Sequence, residues 1–286
     1  MGIISALRRI AGRLVVAAAA LAAAFGAAPV CAEGHLAANY EVTLAGIPIG
    51  KGTWEIDIAD DQFSALASGG SSGLLSVIAS GKGNGGSQGR IVKGQLQPNA
   101  YAVTISTDRK SETVRIGLNP GGVKDFSIEP TPQENPNRIP LTEAHLRGAS
   151  DPMTGSLVVV PGSGDSVVAE ACANNPAIFD GRIRYDLKLA FKRIENVKVE
   201  GYQGPVVVCG ISFAPLAGHD PGRVAIKYLI AQRQMEIWLA PIAGTRVLAP
   251  YRLTIPTPLG TGKLEATRFV SAPRAARGAA VVPRTQ

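Results

Sequence analysis

Tyr40-Glu41-Val42-Thr43-Leu44-Ala45-Gly46-Ile47-Pro48-Ile49-Gly50-Lys51-Gly52-Thr53-Trp54-Glu55-Ile56-Asp57-Ile58 decides the fold class of this 286-residue chain. Tyr40, Val42 and Leu44 alternate with polar residues, as do Trp54, Ile56 and Ile58, so each set falls on one face of a half-buried strand. Between them Ala45 to Gly50 supplies turn residues, and the whole reads as a β-hairpin.

The same period of two recurs on the C-terminal side. Tyr101, Val103 and Ile105 form one set, Val114, Ile116 and Leu118 another, and the Asn119-Pro120-Gly121-Gly122 turn leads into Val123 to Ile128. Tyr185, Leu187, Leu189 and Phe191 alternate with charged or small residues. Val206 to Ile211, Val224 to Ile230, Met235 to Leu239, Arg246 to Ile255 and Leu264 to Phe269 complete a second β-rich half. Roughly a dozen strands at this spacing predict a mainly β fold, a large curved antiparallel sheet or half-open barrel or spiral.

Two stretches break the alternation. Glu129 to Pro140 holds four prolines and is expected to cross the sheet as extended chain. Next, Ser150 or Asp151 is placed to cap one short helix, with Pro152 at its first position and its end near Val159, lying on or plugging the sheet. Ser68 to Gly89 is rich in glycine and serine, which fits a bulged hairpin or a mobile loop.

On the N-terminal side Arg8, Arg9 and Arg13 precede an uncharged run from Leu14 to Ala28 and the small-residue site Val30-Cys31-Ala32, the pattern of a secretory signal peptide cleaved after Ala32. The run is shorter than the roughly 20 residues that span a bilayer. The reading is therefore a periplasmic protein, peripheral to the membrane at most, with residues 1–32 as signal, 33–272 as a single β domain and 273–286 as a disordered basic tail. Of 29 basic residues three leave with the signal, against 22 acidic ones, so the mature charge is +4. Arg274, Arg277 and Arg284 carry most of that excess, which argues against a nucleic-acid partner. Of three cysteines the mature chain keeps Cys172 and Cys209, an even pair expected to form a disulfide in an oxidising compartment, the alternative being two buried free thiols.

Motifs for chemistry are weak. Gly81, Gly83 and Gly86 match the dinucleotide glycine spacing, but no strand, helix and later acid surround them as a βαβ unit requires. Gly69-Gly70-Ser71-Ser72-Gly73 matches the nucleophile elbow of hydrolases, yet its composition fits a hairpin better. His35, His145 and His219 lack the close spacing of a metal site; His219, in Gly218-His219-Asp220-Pro221-Gly222, reads as a solvent-exposed or capping turn residue. Asp57, Asp60 and Asp61 read as strand-end and turn residues. No catalytic residue, cofactor or metal is expected.

Taken in order, Tyr40 leading to Gly46-Ile47-Pro48-Ile49-Gly50, Asp151-Pro152, Phe179-Asp180-Gly181-Arg182 with Tyr185-Asp186, and Cys209 followed by Pro215 and Gly218 resemble the exported bacterial proteins grouped as domain of unknown function family 3108. The resemblance spans Ala38 to Phe269. It implies an envelope-associated β protein and carries no catalytic residue across. Its fold is similar to curved periplasmic carriers of lipid or lipoprotein acyl chains, an analogy of architecture only. The expected function is a non-enzymatic envelope protein binding a hydrophobic ligand, a lipid or acyl chain, or an envelope partner on an apolar concave face that includes Tyr185, Leu187 and Leu189. The alternative is a hydrolase of an envelope polymer acting through carboxylates or Ser71.

Overall fold

The computed structural model describes residues 33–73 and 80–273. Residues 1–32, expected as a signal peptide, the basic stretch beyond Pro273 and residues 74–79 lie outside the described residues.

Among the described residues fourteen strands form one antiparallel sheet. In the N-terminal half run β1 (Gly34–Leu44), β2 (Ile47–Ile58), β3 (Gln62–Ser71), β4 (Gly81–Val92), β5 (Gln95–Thr107), β6 (Ser111–Asn119) and β7 (Gly122–Glu129). Two four-residue helices follow, α1 (Glu143–Leu146) and α2 (Pro152–Gly155), then β8 (Val158–Val159), a 3-10 turn at Ala169–Ala173 and β9 (Ala177–Phe179). The second half holds β10 (Arg184–Val199), β11 (Tyr202–Ala217), α3 (Val224–Ala231), β12 (Met235–Pro241), β13 (Val247–Thr257) and β14 (Gly260–Pro273). Their order across the sheet is β7-β6-β5-β4-β3-β2-β1-β14-β13-β12-β11-β10-β9, with β8 added to β13. The first strand therefore pairs with the last, and the two meanders become one wall.

This wall rolls into a nearly closed barrel. Its end strands β7 and β9 meet through side chains: Phe126 stands edge-on to Phe179 at 4.9 Å, and Arg182 donates to Glu112 across the same seam at 2.5 Å. The residues just before β8 plug the interior. Asp151 caps α2 and also accepts a hydrogen bond from Ser87 on the inner face of β4 at 3.0 Å.

Burial follows the alternation. Leu36, Ala38, Ile56, Phe63, Ala65, Val206, Val208, Trp238, Ala249 and Phe269 fill the interior. On β11 the intervening Val207 and Cys209 point the other way, into a second cluster with Leu239, Leu248, Val158 and Val160. An unbroken apolar run such as Val206-Val207-Val208 is what a strand covered on both faces requires. The outer cover is the segment from β8 to the 3-10 turn, held by the Cys172–Cys209 disulfide and by Arg246, whose guanidinium donates to the carbonyls of Val160, Pro161 and Gly164.

The structure corrects several expectations. The helix opened by Asp151-Pro152 stops at Gly155, and Val158–Val159 pair with Leu248 and Val247 as a strand instead of continuing it. Apolar contact on both sides outweighs helix extension for a run of β-branched residues. Val224–Ala231, expected as a strand, is helical and buries only Ile226; a run of eight mixed apolar residues does not distinguish the two states by period. Among the described residues there are three short α-helices, against the one expected, and the fold remains mainly β. The glycine-rich stretch forms the paired strands β3 and β4, and no dinucleotide-type turn is present where Gly81, Gly83 and Gly86 lie within β4. The proline-rich crossing is extended as expected, and Ile139 clasps the β11 end by hydrogen bonds with Gly218 and His219.

Candidate binding site

At the end of the barrel marked by the β1–β2 turn, the inner face loses its side chains. Register places Tyr40, Gly52, Gly69, Gly83 and Ile105 side by side across β1 to β5. The next row toward the turn opposes Val42 to Gly50. Directly opposed residues of an antiparallel pair share a face, so three adjacent strands present backbone where a packed barrel presents side chains. Ile105 faces this gap and remains 54% exposed. At Gly52 a Cβ would lie 2.9 Å from the carbonyl oxygen of Ser68, so a larger residue there would force the β3 backbone to shift.

The result is a cavity of about 340 Å³ whose lining includes Tyr40, Val42, Trp54, Ala67, Gly69 and Leu264. That volume is at the lower end of the roughly 300–1,000 Å³ of small-molecule sites. Its polar groups are few. Tyr40 donates to the carbonyl of Pro250 at 2.6 Å, and burial pushes its hydroxyl well above the ordinary tyrosine range, so it stays neutral. The indole N–H of Trp54 is buried and has no hydrogen-bond partner. A buried donor left unpaired costs about 1–3 kcal/mol, and here it sits in a residue that lines the cavity.

The residues singled out in the sequence are placed elsewhere. Tyr185, Leu187 and Leu189 lie on β10 and are all half-buried. The Tyr185 ring is 5.2 Å from Phe213, Leu187 opposes Phe213, and Leu189 packs against the cluster around the disulfide. They are covered by neighbouring strands and by the 3-10 turn, and do not line the cavity. Among the described residues Ser71 bonds the backbone of Gly81, whereas the His145 ring bonds Thr142, the N-cap of α1, so the two do not meet. His219, expected at the surface, is 5% exposed, with Nδ1 unpartnered; its backbone carbonyl is taken by Ile139 and the chain folds over it. Asp57 is held by His35 at 3.0 Å, and Asp60 and Asp61 are exposed in the β2–β3 turn. Among the described residues no group of histidines, cysteines and carboxylates is arranged to hold a metal, and no helix is long and apolar enough to cross a membrane.

Residues 39–267 match the family model described as "Protein of unknown function (DUF3108)". The chain belongs to the DUF3108 family. Every residue of the cavity lies inside the DUF3108 match, from Tyr40 to Leu264, and the family carries no assigned activity. A crystal structure of a β-barrel-like protein of another domain of unknown function, DUF1849, from Brucella abortus is similar at 10% identity. The match covers 85% of this chain and 98% of that one, with a TM-score of 0.48. No curated protein matches the chain.

Glycine placement is the signal by which sequence alone could have found the cavity. Gly50 and Gly52, and Gly81, Gly83 and Gly85, recur at every second position, which in a strand clears one face of side chains. That the cleared faces of β2, β3 and β4 stand in register is visible only once the strands are paired.

Proposed function

We propose that this protein is a non-enzymatic β protein of the periplasm that takes a hydrophobic ligand, a lipid or acyl chain, into the unfilled end of its barrel. The apolar cavity walled by Tyr40, Val42, Trp54, Ala67 and Leu264 carries this reading. An apolar chain would be sheltered against those side chains. The disulfide fits an oxidising compartment. Residence in the periplasm and the identity of the chain rest on this proposal.

Ala67 faces the cavity opposite Trp54, so Ala67→Phe is expected to fill it. Binding of a fluorescent fatty acid to the mature protein should weaken at least tenfold in this variant, with the far-ultraviolet circular dichroism unchanged. Mass spectrometry of wild-type protein purified from the periplasm should find a co-purified lipid that Ala67→Phe lacks. A wild type that binds no apolar probe, or a variant that binds as well as wild type, would sink the reading.

A further inference from the structure

A cavity larger than the apolar one lies on the opposite face of the same strands and has the reverse chemistry. We infer that it is a second site, which binds a phosphorylated sugar through Lys51 and Lys82. The observations are independent of the apolar cavity, and the site stands whether or not a lipid enters the barrel.

Two rows of side chains build it. One row runs Asn39, Thr53, Ser68, Asn84, Thr104 across β1 to β5, and the next runs Glu41, Lys51, Gly70, Lys82, Ser106. Both alternate with the buried Leu36, Ala38, Tyr40 row of β1, so they point away from the core. A bulge between Asn39 and Tyr40 in the β1–β14 ladder adds Thr267 to the rim, where its hydroxyl donates to the Asn39 carbonyl. The groove so formed measures about 870 Å³, room for a sugar together with a phosphate.

Its charges select the ligand. Lys51 and Lys82 stand in one row with Gly70 between them, two inter-strand steps or roughly 10 Å apart at the backbone. With no side chain at Gly70, two long ammonium stems can converge on one group above it. Neither lysine forms a salt bridge among the described residues, whereas Lys192 and Lys263 are both paired with glutamates. Lysine holds phosphate as a point charge, and two such charges on one row can share the oxygens of a single phosphate monoester.

The remaining groups suit sugar hydroxyls. Thr53 and Ser68 share one hydrogen bond at 2.9 Å, as do Thr104 and Thr113 at 3.0 Å and Ser106 and Ser111 at 2.8 Å. Each such pair uses one O–H and leaves the other free to donate. Asn39 and Asn84 add amide donors and acceptors, and Glu41 adds a carboxylate acceptor. Glu41 also leaves the groove at net +1, which favours a monoester over a polyanion.

The test titrates the mature protein calorimetrically with glucose 6-phosphate, glucose and inorganic phosphate. Glucose 6-phosphate should bind, more tightly than phosphate alone, and glucose should not. The Lys51→Gln/Lys82→Gln double variant should weaken binding at least tenfold, and Lys93→Gln, in the β4–β5 turn at the far end of the sheet, should leave it unchanged. Vesicles carrying a phosphorylated glycolipid form a second arm: tighter binding there marks a lipid headgroup as the source, and tighter binding of the soluble sugar phosphate marks a free one. No binding in either arm, or equal loss with Lys93→Gln, would overturn the proposal.

Discussion

Replacing Cys172 or Cys209 with serine is expected to destabilise the oxidised protein by about 4 kcal/mol, and by nearly the same amount for either residue. The bond closes a loop with a sequence separation of 37, and chain-entropy arithmetic for a loop of that size gives about this figure. Burial raises the loss. Cys172 and Cys209 are 2% and 0% exposed, among Val207, Leu239, Leu248 and Val160, so a serine hydroxyl in either place finds an apolar surround. Once the bond is gone, the cover from β8 to the 3-10 turn depends on Arg246 and on the short β8–β13 pairing. Its release would bare the outer face of β11, β12 and β13. Non-additivity is the sharper readout. Urea unfolding of Cys172→Ser, Cys209→Ser and the double variant should give three similar losses, because all three remove one bond. Two buried free thiols would instead give losses that add, and titration of the unfolded, unreduced protein would then find two reactive thiols per chain.

Where the chain alternates in apolar and polar residues, sequence and structure agree, because a strand with one buried face has to alternate. Tyr40, Ile56, Tyr101 and Ile116 all face inward as the period of two requires. Disagreement concentrates where periodicity carries no information. Val224–Ala231 is too short and too uniformly apolar for its period to choose between strand and helix, and its N-cap, Arg223, offers no side-chain cap. Val158 and Val159 follow a well-marked helix start, yet their fate depends on Val247 and Leu248, some ninety residues away. The site was hidden for a related reason. Glycines at alternate positions show that a strand face is empty, but whether emptiness makes a cavity depends on register. Gly52, Gly69 and Gly83 belong to three different strands, and only their pairing joins them. Likewise Lys51 and Lys82 are thirty-one positions apart and read as ordinary surface charges until Gly70 is seen between them.

Asp151 yields the second large effect: Asp151→Ala should lose about 3 kcal/mol, while Asp151→Asn should stay within about 1 kcal/mol of wild type. The carboxylate is fully buried and does two tasks. One oxygen accepts from the backbone N–H of Met153 and of Thr154, both at 2.9 Å, as an N-cap; the other accepts from Ser87 of β4, tying the plug to the barrel wall. Alanine removes the cap, worth about 0.5–2 kcal/mol, and leaves buried donors unpaired at about 1–3 kcal/mol. Asparagine caps as well as aspartate, and Ser87 can turn its hydroxyl to accept from the amide. Asparagine also carries no charge, which gives the pair a pH signature. Desolvation by burial, opposed by the hydrogen bonds of Thr154, Ser87 and Met153, holds the Asp151 carboxyl above its ordinary value. The folded state thus keeps the proton more tightly than the unfolded chain, so protonation stabilises the fold. That contribution is fully present below the unfolded value near 3.9 and is lost as pH rises through the raised folded value. Glu236, whose carboxyl is lowered mainly by the Arg193 hydrogen bond, changes in the opposite sense, but identically in both proteins. The stability of wild type minus that of Asp151→Asn isolates Asp151 and should rise as pH is lowered from 7 to 4. Urea unfolding of wild type, Asp151→Asn and Asp151→Ala at both values measures this difference. A gap that does not change with pH would mean that the carboxyl is not raised in the folded state, and an Asp151→Ala variant as stable as Asp151→Asn would mean that the cap and the Ser87 tie do not hold the plug.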